Sequence, residues 1–126
     1  GVPGAEVAGF ALAGEIQVFE GVSGGGVIST ANDALWSRAS SGVADSPDVD
    51  DGFGATLAVA DFDGNGDFDV AIGVPDDTVS GAVRAGAAHV LYGSASSLTS
   101  TGADFLTQAA LAAVGEDDDA FGFALR

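Results

Sequence analysis

The chain has 126 residues, of which 47% are hydrophobic, and its 19 acidic against 3 basic residues give a formal net charge of −16. This hydrophobic content excludes a disordered segment, and the scarcity of Lys and Arg argues against nucleic acid and anionic membranes as partners. The absence of cysteine excludes disulfides and thiolate metal sites, and no apolar run of about 18 residues indicates direct membrane insertion.

Short apolar runs separated by glycine, serine and threonine predict short strands rather than long helices. In chain order, we expect strands at residues 15–19, near 35–39, at 56–60, at 70–74, within 86–93 and near 105–110. Turn-forming residues predict loops at 21–26 and 94–102. The segments near 35–39 and 105–110 have an alternative as short helices over part of their length.

Two of these strands are expected to lie inside the sheet. Residues 56–60 and 70–74 are almost continuously apolar, which is typical of strands covered on both faces, and they are predicted to form the inner pair. Residues 15–19 alternate instead, with Ile16 and Val18 on one face. Because alternation is typical of a strand with one wet face, this strand is expected to lie further out.

Two copies of one unit of roughly 70 residues account for most of the chain. The matching landmarks are Gly-Val-Pro at 1–3 and 73–75, Gly14 and Gly86, Gly21 and Gly93, residues 33–38 and 103–108, and residues 50–54 and 118–122. Four short strands in a unit of this length are typical of β-propeller blades, and a propeller has about four to eight of them. The sequence therefore predicts an all-β fold that supplies about two blades of a larger propeller.

The expected units are a partial blade at residues 1–52 with strands two to four, a complete blade at 53–120, and the first strand of a following blade at 121–126. A single repeat cannot bury its apolar face alone. We therefore expect neighbouring blades to come either from a longer parent protein or from further copies of this chain in a homo-oligomer.

An acidic nonapeptide, residues 61–69, separates the two predicted inner strands and carries oxygen-bearing side chains at alternate positions. Calcium takes six to eight oxygen ligands. By analogy with the first half of an EF-hand loop, the predicted ligands are the side chains of Asp61, Asp63 and Asn65, the backbone carbonyl of Asp67 and the carboxylate of Asp69. Gly66 occupies the sharp-turn position, where a positive φ is expected.

The alternative for this nonapeptide is an ordinary hairpin turn, since Asp, Asn and Gly form turns without any metal. At about 4 Å and an effective dielectric constant near 20, however, each carboxylate pair repels by roughly 4 kcal/mol, and no Lys or Arg lies nearby in sequence. The strand-like flanks, and Ile72 where an EF-hand needs a bidentate Glu, exclude a true EF-hand. The sequence therefore favours a calcium-binding β-hairpin loop.

Phe53-Gly54, the apolar run to Ala60, the acidic nonapeptide and residues 70–75 together resemble a full FG-GAP repeat, the unit of integrin α-subunit propellers and of many bacterial surface proteins. Gly73-Val74-Pro75 stands where that family has Gly-Ala-Pro, and residues 90–99 resemble its bacterial members. The resemblance implies a seven-bladed propeller braced by Ca²⁺, extracellular or on a bacterial cell surface. It implies one metal site in this chain, because the first copy lacks the loop and the second copy ends before it.

The function that this resemblance implies is cell adhesion, surface assembly or binding of a protein partner, without catalysis. The alternative is a non-catalytic propeller part of a larger secreted enzyme. Outside the nonapeptide, Phe53 and Phe121 are expected to be core anchors between blades, and Trp36 a blade-edge aromatic residue. The single histidine, His89, is expected to be a structural or surface residue.

Two further acidic segments precede the Phe-Gly pairs. Asp48, Asp50 and Asp51 precede the first pair, and residues 116–119 precede the second. Without interleaved glycines, these residues are predicted to form solvated acidic loops, and a second metal site is the alternative.

Overall fold

The computed structural model describes residues 1–21, 26, 28–111 and 113–125, without the side chains of 31 and 32. These residues form six strands and one 3-10 helix. They are β1 (Ile16–Gly21), β2 (Ile28–Trp36), β3 (Thr56–Ala60), β4 (Asp69–Val74), β5 (Ala87–Gly93), β6 (Leu98–Leu106) and the 3-10 helix Gln108–Leu111. The predicted all-β fold is therefore confirmed. In the described part of the chain, no helix has the length and apolar character needed to cross a membrane.

The strands form two antiparallel sheets. Strands β3 to β6 follow one another across a four-stranded sheet in chain order, and β1 pairs with β2 in a separate two-stranded sheet. In the larger sheet, Ile72 of β4 lies between Leu57 of β3 and His89 of β5. A four-stranded antiparallel sheet of this order is the arrangement predicted for a propeller blade.

The internal repeat is visible in the strand pairing. Ile16 of β1 pairs with Trp36 of β2, and their counterparts Ala88 and Leu106 pair in the same way in β5 and β6. The register shifts between Val18 and Glu20 in the first pair and between Val90 and Tyr92 in the second. These positions match in the repeat, so β1 and β2 are the counterparts of the two outer strands of the complete sheet.

Strand boundaries agree with the sequence prediction in the inner strands and differ in the outermost one. The predicted bounds of β3 are confirmed, and β4 begins one residue early, at Asp69. Strand β6 runs through Leu98–Leu106, so the predicted loop at 94–102 is wrong beyond Ser97. Leu98 pairs with Gly93 and packs against the core, which extends the strand despite its Ser and Thr content.

The helical alternative near 105–110 is realised only after β6 ends, in the 3-10 helix Gln108–Leu111. In the first copy, β2 ends at Trp36, before the predicted end at 39. The predicted loop at 21–26 lies mostly outside the described residues, since the structure describes only its two end residues.

The hydrophobic core lies between the two sheets. Ile16 of β1, Phe53, Ile72 of β4 and Leu91 of β5 are fully buried there, with Trp36 packed against them. The core cluster includes no residue of β3. The side chains of Leu57 and Val59 are 38% and 63% exposed. The expectation that β3 is covered on both faces is therefore wrong for this chain, because β1 and β2 pack over the strands beyond it.

Each Phe-Gly pair joins its own unit to the preceding one through the backbone. The N–H of Phe53 donates to the carbonyl of Ala13 at 2.9 Å, and that of Phe121 donates to Ala85 at 2.8 Å. A Cβ at Gly14 would lie 2.3 Å from the carbonyl oxygen of Phe53. Only glycine allows this approach, which explains why Gly14 recurs as Gly86 in the second copy.

Candidate metal centre

The acidic nonapeptide forms the turn between β3 and β4. Ala60 pairs with Asp69 at its base, so residues 61–68 close one end of the hairpin. Gly66 has the positive φ predicted for it, +93°, and Gly64 has a φ of +78°. L side chains rarely adopt such values, and the glycines at these two positions allow the chain to fold back within the loop.

Three of the predicted ligands converge in this loop. One carboxylate oxygen from each of Asp61, Asp63 and Asp69 lies within 4.8 Å of the others. Asp61 and Asp63 are exposed, whereas Asp69 is buried. The two arginines that the structure describes, Arg38 and Arg84, form ion pairs with other aspartates. No described basic side chain therefore neutralises the cluster.

Asp69 is held as an anion by the backbone around it. Its carboxylate accepts hydrogen bonds from the N–H of Gly93 at 2.7 Å and of Phe62 at 2.6 Å. Burial raises the pKa of Asp69, but hydrogen bonds from the backbone of Gly93, Phe62 and Asp63 outweigh burial and hold this pKa below its usual value. The buried carboxylate is therefore ionised and fixed in position.

Asp61 organises the outer part of the loop. Its Oδ1 accepts the N–H of Gly64 at 2.7 Å and of Asn65 at 3.0 Å, and its Oδ2 accepts the N–H of Gly66 at 3.0 Å. Asp63 also accepts the N–H of Asn65 at 3.0 Å. The loop backbone is thus wrapped around the two exposed carboxylates.

The two remaining predicted ligands lie beside the carboxylate cluster. Asn65 donates from Nδ2 to Asp63 Oδ2 at 3.1 Å and to the carbonyl of Gly93 at 3.3 Å. The N–H of Asp67 donates to Asn65 Oδ1 at 2.7 Å, and the Asp67 carboxylate is outside the cluster. The predicted role of Asp67, through its backbone carbonyl, stays a prediction.

The donor set fits a hard cation. Its converging ligand atoms are carboxylate oxygens, which suit calcium better than the softer transition metals. One wall of the cluster is fixed by the buried Asp69, while Asp61 and Asp63 lie on a loop with two glycines of positive φ. The residues present therefore fit calcium, on the chemistry and convergence of their oxygens.

Sequence reasoning missed the contribution of Gly93 to this site. Its N–H holds Asp69 and its carbonyl holds Asn65, so the end of β5 anchors both sides of the loop. A Cβ at Gly93 would lie 2.3 Å from the carbonyl oxygen of Phe68. The recurrence of Gly21 as Gly93 was the available signal, because a repeated glycine marks a close backbone approach.

A buried ion network lies in the acidic segment before Phe53. Arg38 Nη1 lies 2.7 Å from Asp51 Oδ2 and 2.9 Å from Asp77 Oδ1, and Nη2 pairs with Asp45. Asp51 is only 2% exposed, so the prediction of a solvated acidic loop is wrong for this residue. Burial raises the pKa of Asp51 to about 6, although the N–H of Asp48 and the Arg38 charge oppose this.

The other acidic residues of these segments are exposed, as predicted. Asp48 and Asp50 lie at the surface before Phe53, and the residues at 116–119 lie at the surface before Phe121. Asp118 pairs with Arg84. In the second copy, Gln108 takes the place of Arg38 in the repeat, so the buried network belongs to the first copy.

His89 lies in the core, in the middle of β5. Its ring centroid is 5.5 Å from that of Phe53 and 4.9 Å from that of Phe105, and its buried Nε2 has no hydrogen-bond partner among the described residues. Burial lowers the pKa of His89 to about 4, and the nearby Arg38 charge acts in the same direction. The histidine is therefore a neutral, structural residue at neutral pH.

The contributions of His89 and Asp51 to the free energy of unfolding are expected to change in opposite directions with pH. The contribution of neutral His89 is complete above about pH 6.5 and is lost as the pH falls towards about 4, by about 3 kcal/mol in total. The contribution of Asp51 is complete below its ordinary pKa of 3.8 and is lost as the pH rises through about 6.

Replacing His89 by Leu removes only the first of these effects. We expect the free energy of unfolding of His89→Leu to rise, relative to the parent chain, as the pH falls from about 7 to about 5. Urea denaturation of both proteins at the two pH values measures this difference. Identical pH dependence in the two proteins would show that His89 titrates normally.

The class of protein follows from the sheet and its loop: a four-stranded antiparallel blade with a carboxylate cluster in its first hairpin is a repeat of β-propeller type. Residues 53–91 match the family model for the FG-GAP repeat. Residues 53–91 of the chain therefore form an FG-GAP repeat, and the recognition of this repeat from the sequence is confirmed. The match extends from Phe53 through the acidic loop into β5. No match was found among curated proteins or among solved structures.

Proposed function

We propose that the chain is a non-catalytic, calcium-binding part of an extracellular β-propeller that serves adhesion, surface assembly or another protein–protein interaction. The observation that carries this proposal is that Asp61, Asp63 and Asp69 converge, while the described arginine side chains pair with other aspartates. Three carboxylates at such distances repel one another by several kcal/mol. A divalent cation bound between them would attract each carboxylate and so offset their mutual repulsion.

Calcium at this position would connect parts of the blade that are distant in sequence. Asp61, Asp63 and Asn65 would supply side-chain oxygens from the turn, Asp67 its backbone carbonyl, and Asp69 the buried carboxylate. Because Gly93 already holds Asp69 and Asn65, the ion would tie the β3–β4 turn to the end of β5. The expected result is a stiffer blade that presents its surface loops in a fixed arrangement.

The extracellular location is supported by the kind of site. Two of the three carboxylates are exposed, and open sites of this kind suit the calcium affinities of extracellular modules, with Kd of about 10⁻⁴ to 10⁻³ M. The net charge of −16 also favours a soluble, strongly hydrated surface. The proposal of binding without catalysis is supported by His89, which is buried between two phenyl rings instead of facing a cleft.

Thermal melting with calcium and with chelator tests the proposed function. At free calcium about 100 times its Kd, the folded chain gains about 2.7 kcal/mol, so its Tm should be higher in calcium than in chelator. Asp63→Ala should abolish this difference, because it removes an exposed ligand of the cluster. The matched control Asp76→Ala removes an exposed carboxylate outside the cluster and should keep the response. Equal melting of the parent chain in calcium and chelator would refute calcium binding.

A further inference from the structure

The bond between Asn65 and Gly66 lies at the exposed tip of the acidic loop. The chain has two asparagines, and only Asn65 is followed by glycine, since Asn32 is followed by Asp33 in β2. Asparagine deamidates when the backbone nitrogen of the next residue attacks its side-chain carbonyl carbon. A following glycine leaves that nitrogen least hindered, because glycine has no Cβ. Apart from the adjoining residues 65 and 67, no atom lies within 4 Å of the position that a Cβ at Gly66 would take, so the tip of the loop is open.

The hydrogen bonds around this bond favour the attack. The N–H of Gly66, which carries the nucleophilic nitrogen, donates to Asp61 Oδ2 at 3.0 Å. The N–H of Asp67 donates to Asn65 Oδ1 at 2.7 Å. A carboxylate that accepts the proton of the nucleophile acts as a general base, and an N–H aimed at the carbonyl oxygen stabilises the negative charge that develops there.

We propose that Asn65 is a site of spontaneous deamidation, promoted by Asp61 and by the backbone N–H of Asp67. The Gly66 nitrogen forms a bond to Asn65 Cγ and loses its proton to Asp61. This proton is then passed to Nδ2, directly or through water, the Cγ–Nδ2 bond breaks, and the amide nitrogen leaves as ammonia while Asp61 returns to its ionised form. Water then opens the resulting succinimide at either carbonyl. The products are aspartate and isoaspartate at position 65, and no oxidation or reduction takes place.

The link between deamidation of Asn65 and calcium binding rests on the proposed function. With calcium bound, Asp61 serves as a ligand, so it no longer accepts the Gly66 proton. Isoaspartate adds a methylene to the main chain between the outer ligands and Asp69, which disturbs their convergence. Deamidation therefore proceeds in the calcium-free loop and weakens later calcium binding.

The test follows Asn65 by mass spectrometry of proteolytic peptides from the full chain, incubated at neutral pH in chelator. A blocked synthetic peptide of residues 61–69 serves as the unfolded reference. We expect Asn65 to convert faster in the folded chain than in the peptide, while Asn32 stays intact. A rate in the folded chain no higher than that of the peptide would overturn promotion by the folded loop.

Two glycine variants separate the reaction from general loosening of the loop. Gly66→Ala should slow conversion about tenfold, because it hinders the nucleophile and strains a positive φ. Gly64→Ala imposes the same kind of strain in the same loop but does not follow Asn65, so its rate should match that of the parent chain. Equal changes in the two variants would contradict attack by the Gly66 nitrogen.

A third measurement, the deamidation rate in the presence of calcium, depends on the proposed function. We expect conversion to slow in calcium at concentrations that raise the Tm. An unchanged rate in the presence of a raised Tm would overturn protection by the ion. If calcium does not raise the Tm, the proposed function fails, and the chelated sample alone still decides whether Asn65 deamidates.

Discussion

Replacing Arg38 by Met is expected to lower the free energy of unfolding by about 3 to 5 kcal/mol, because it leaves buried carboxylates without their counter-charge. Arg38 is the basic partner of Asp51 and Asp77, which are both buried, and of the half-exposed Asp45. Methionine retains much of the side-chain volume, so the loss measures the missing charge more than a cavity. Urea denaturation at neutral pH gives the difference directly.

Two comparisons test the reason for this loss. Arg84→Met removes the other described arginine ion pair, which is exposed, and should leave the Tm nearly unchanged. Adding Asp51→Asn and Asp77→Asn to Arg38→Met should recover part of the lost stability, because these changes remove the uncompensated charges. A triple variant no more stable than Arg38→Met would show that Arg38 acts through packing.

The second large effect is expected for Phe53→Ala, which should lower the free energy of unfolding by about 3 to 5 kcal/mol. Phe53 is fully buried in the core between the two sheets and contacts His89. Removing its ring leaves a cavity at the junction of the two copies. Chemical denaturation measures the loss, and retained strand content by circular dichroism shows that the variant still folds.

Phe121 provides the matched control, since it occupies the same place in the repeat. Its N–H makes the same backbone hydrogen bond as that of Phe53, but its side chain is only partly buried in this chain. Phe121→Ala should therefore cost much less than Phe53→Ala. Equal losses would mean that the ring of Phe53 contributes little beyond its backbone contacts.

The arrangement of β4 connects the ion network with the acidic loop. Asp69, in the loop, begins this strand, and Asp77, in the network, follows just after its end. The candidate calcium site and the Arg38 network therefore hold opposite ends of one buried strand. This arrangement fixes a central strand of the blade at both of its ends.

Features with a local signature were predictable from the sequence. The bounds of β3, the positive φ of Gly66 and the convergence of Asp61, Asp63 and Asp69 follow from short stretches in which residue type determines geometry. The internal repeat also made it predictable that the two copies share backbone contacts, because glycines recur at matching positions in both copies.

Features that depend on distant contacts were not predictable. Arg38 meets Asp77 across 39 residues, and nothing near either residue indicates that the pair is buried. Asp51 follows the exposed Asp50 directly, so composition could not separate their environments. Strand β6 forms along a Ser- and Thr-rich stretch because β5 offers it a partner. In each case tertiary structure overrides a weak local preference.

Isothermal titration calorimetry of the parent chain measures whether the loop between β3 and β4 binds one calcium ion. We expect saturable binding of one ion per chain, with a Kd of about 10⁻⁴ to 10⁻³ M, and loss of that binding in Asp63→Ala. Absence of saturable binding in the parent chain at millimolar calcium, or unchanged binding in Asp63→Ala, would contradict calcium binding by this loop.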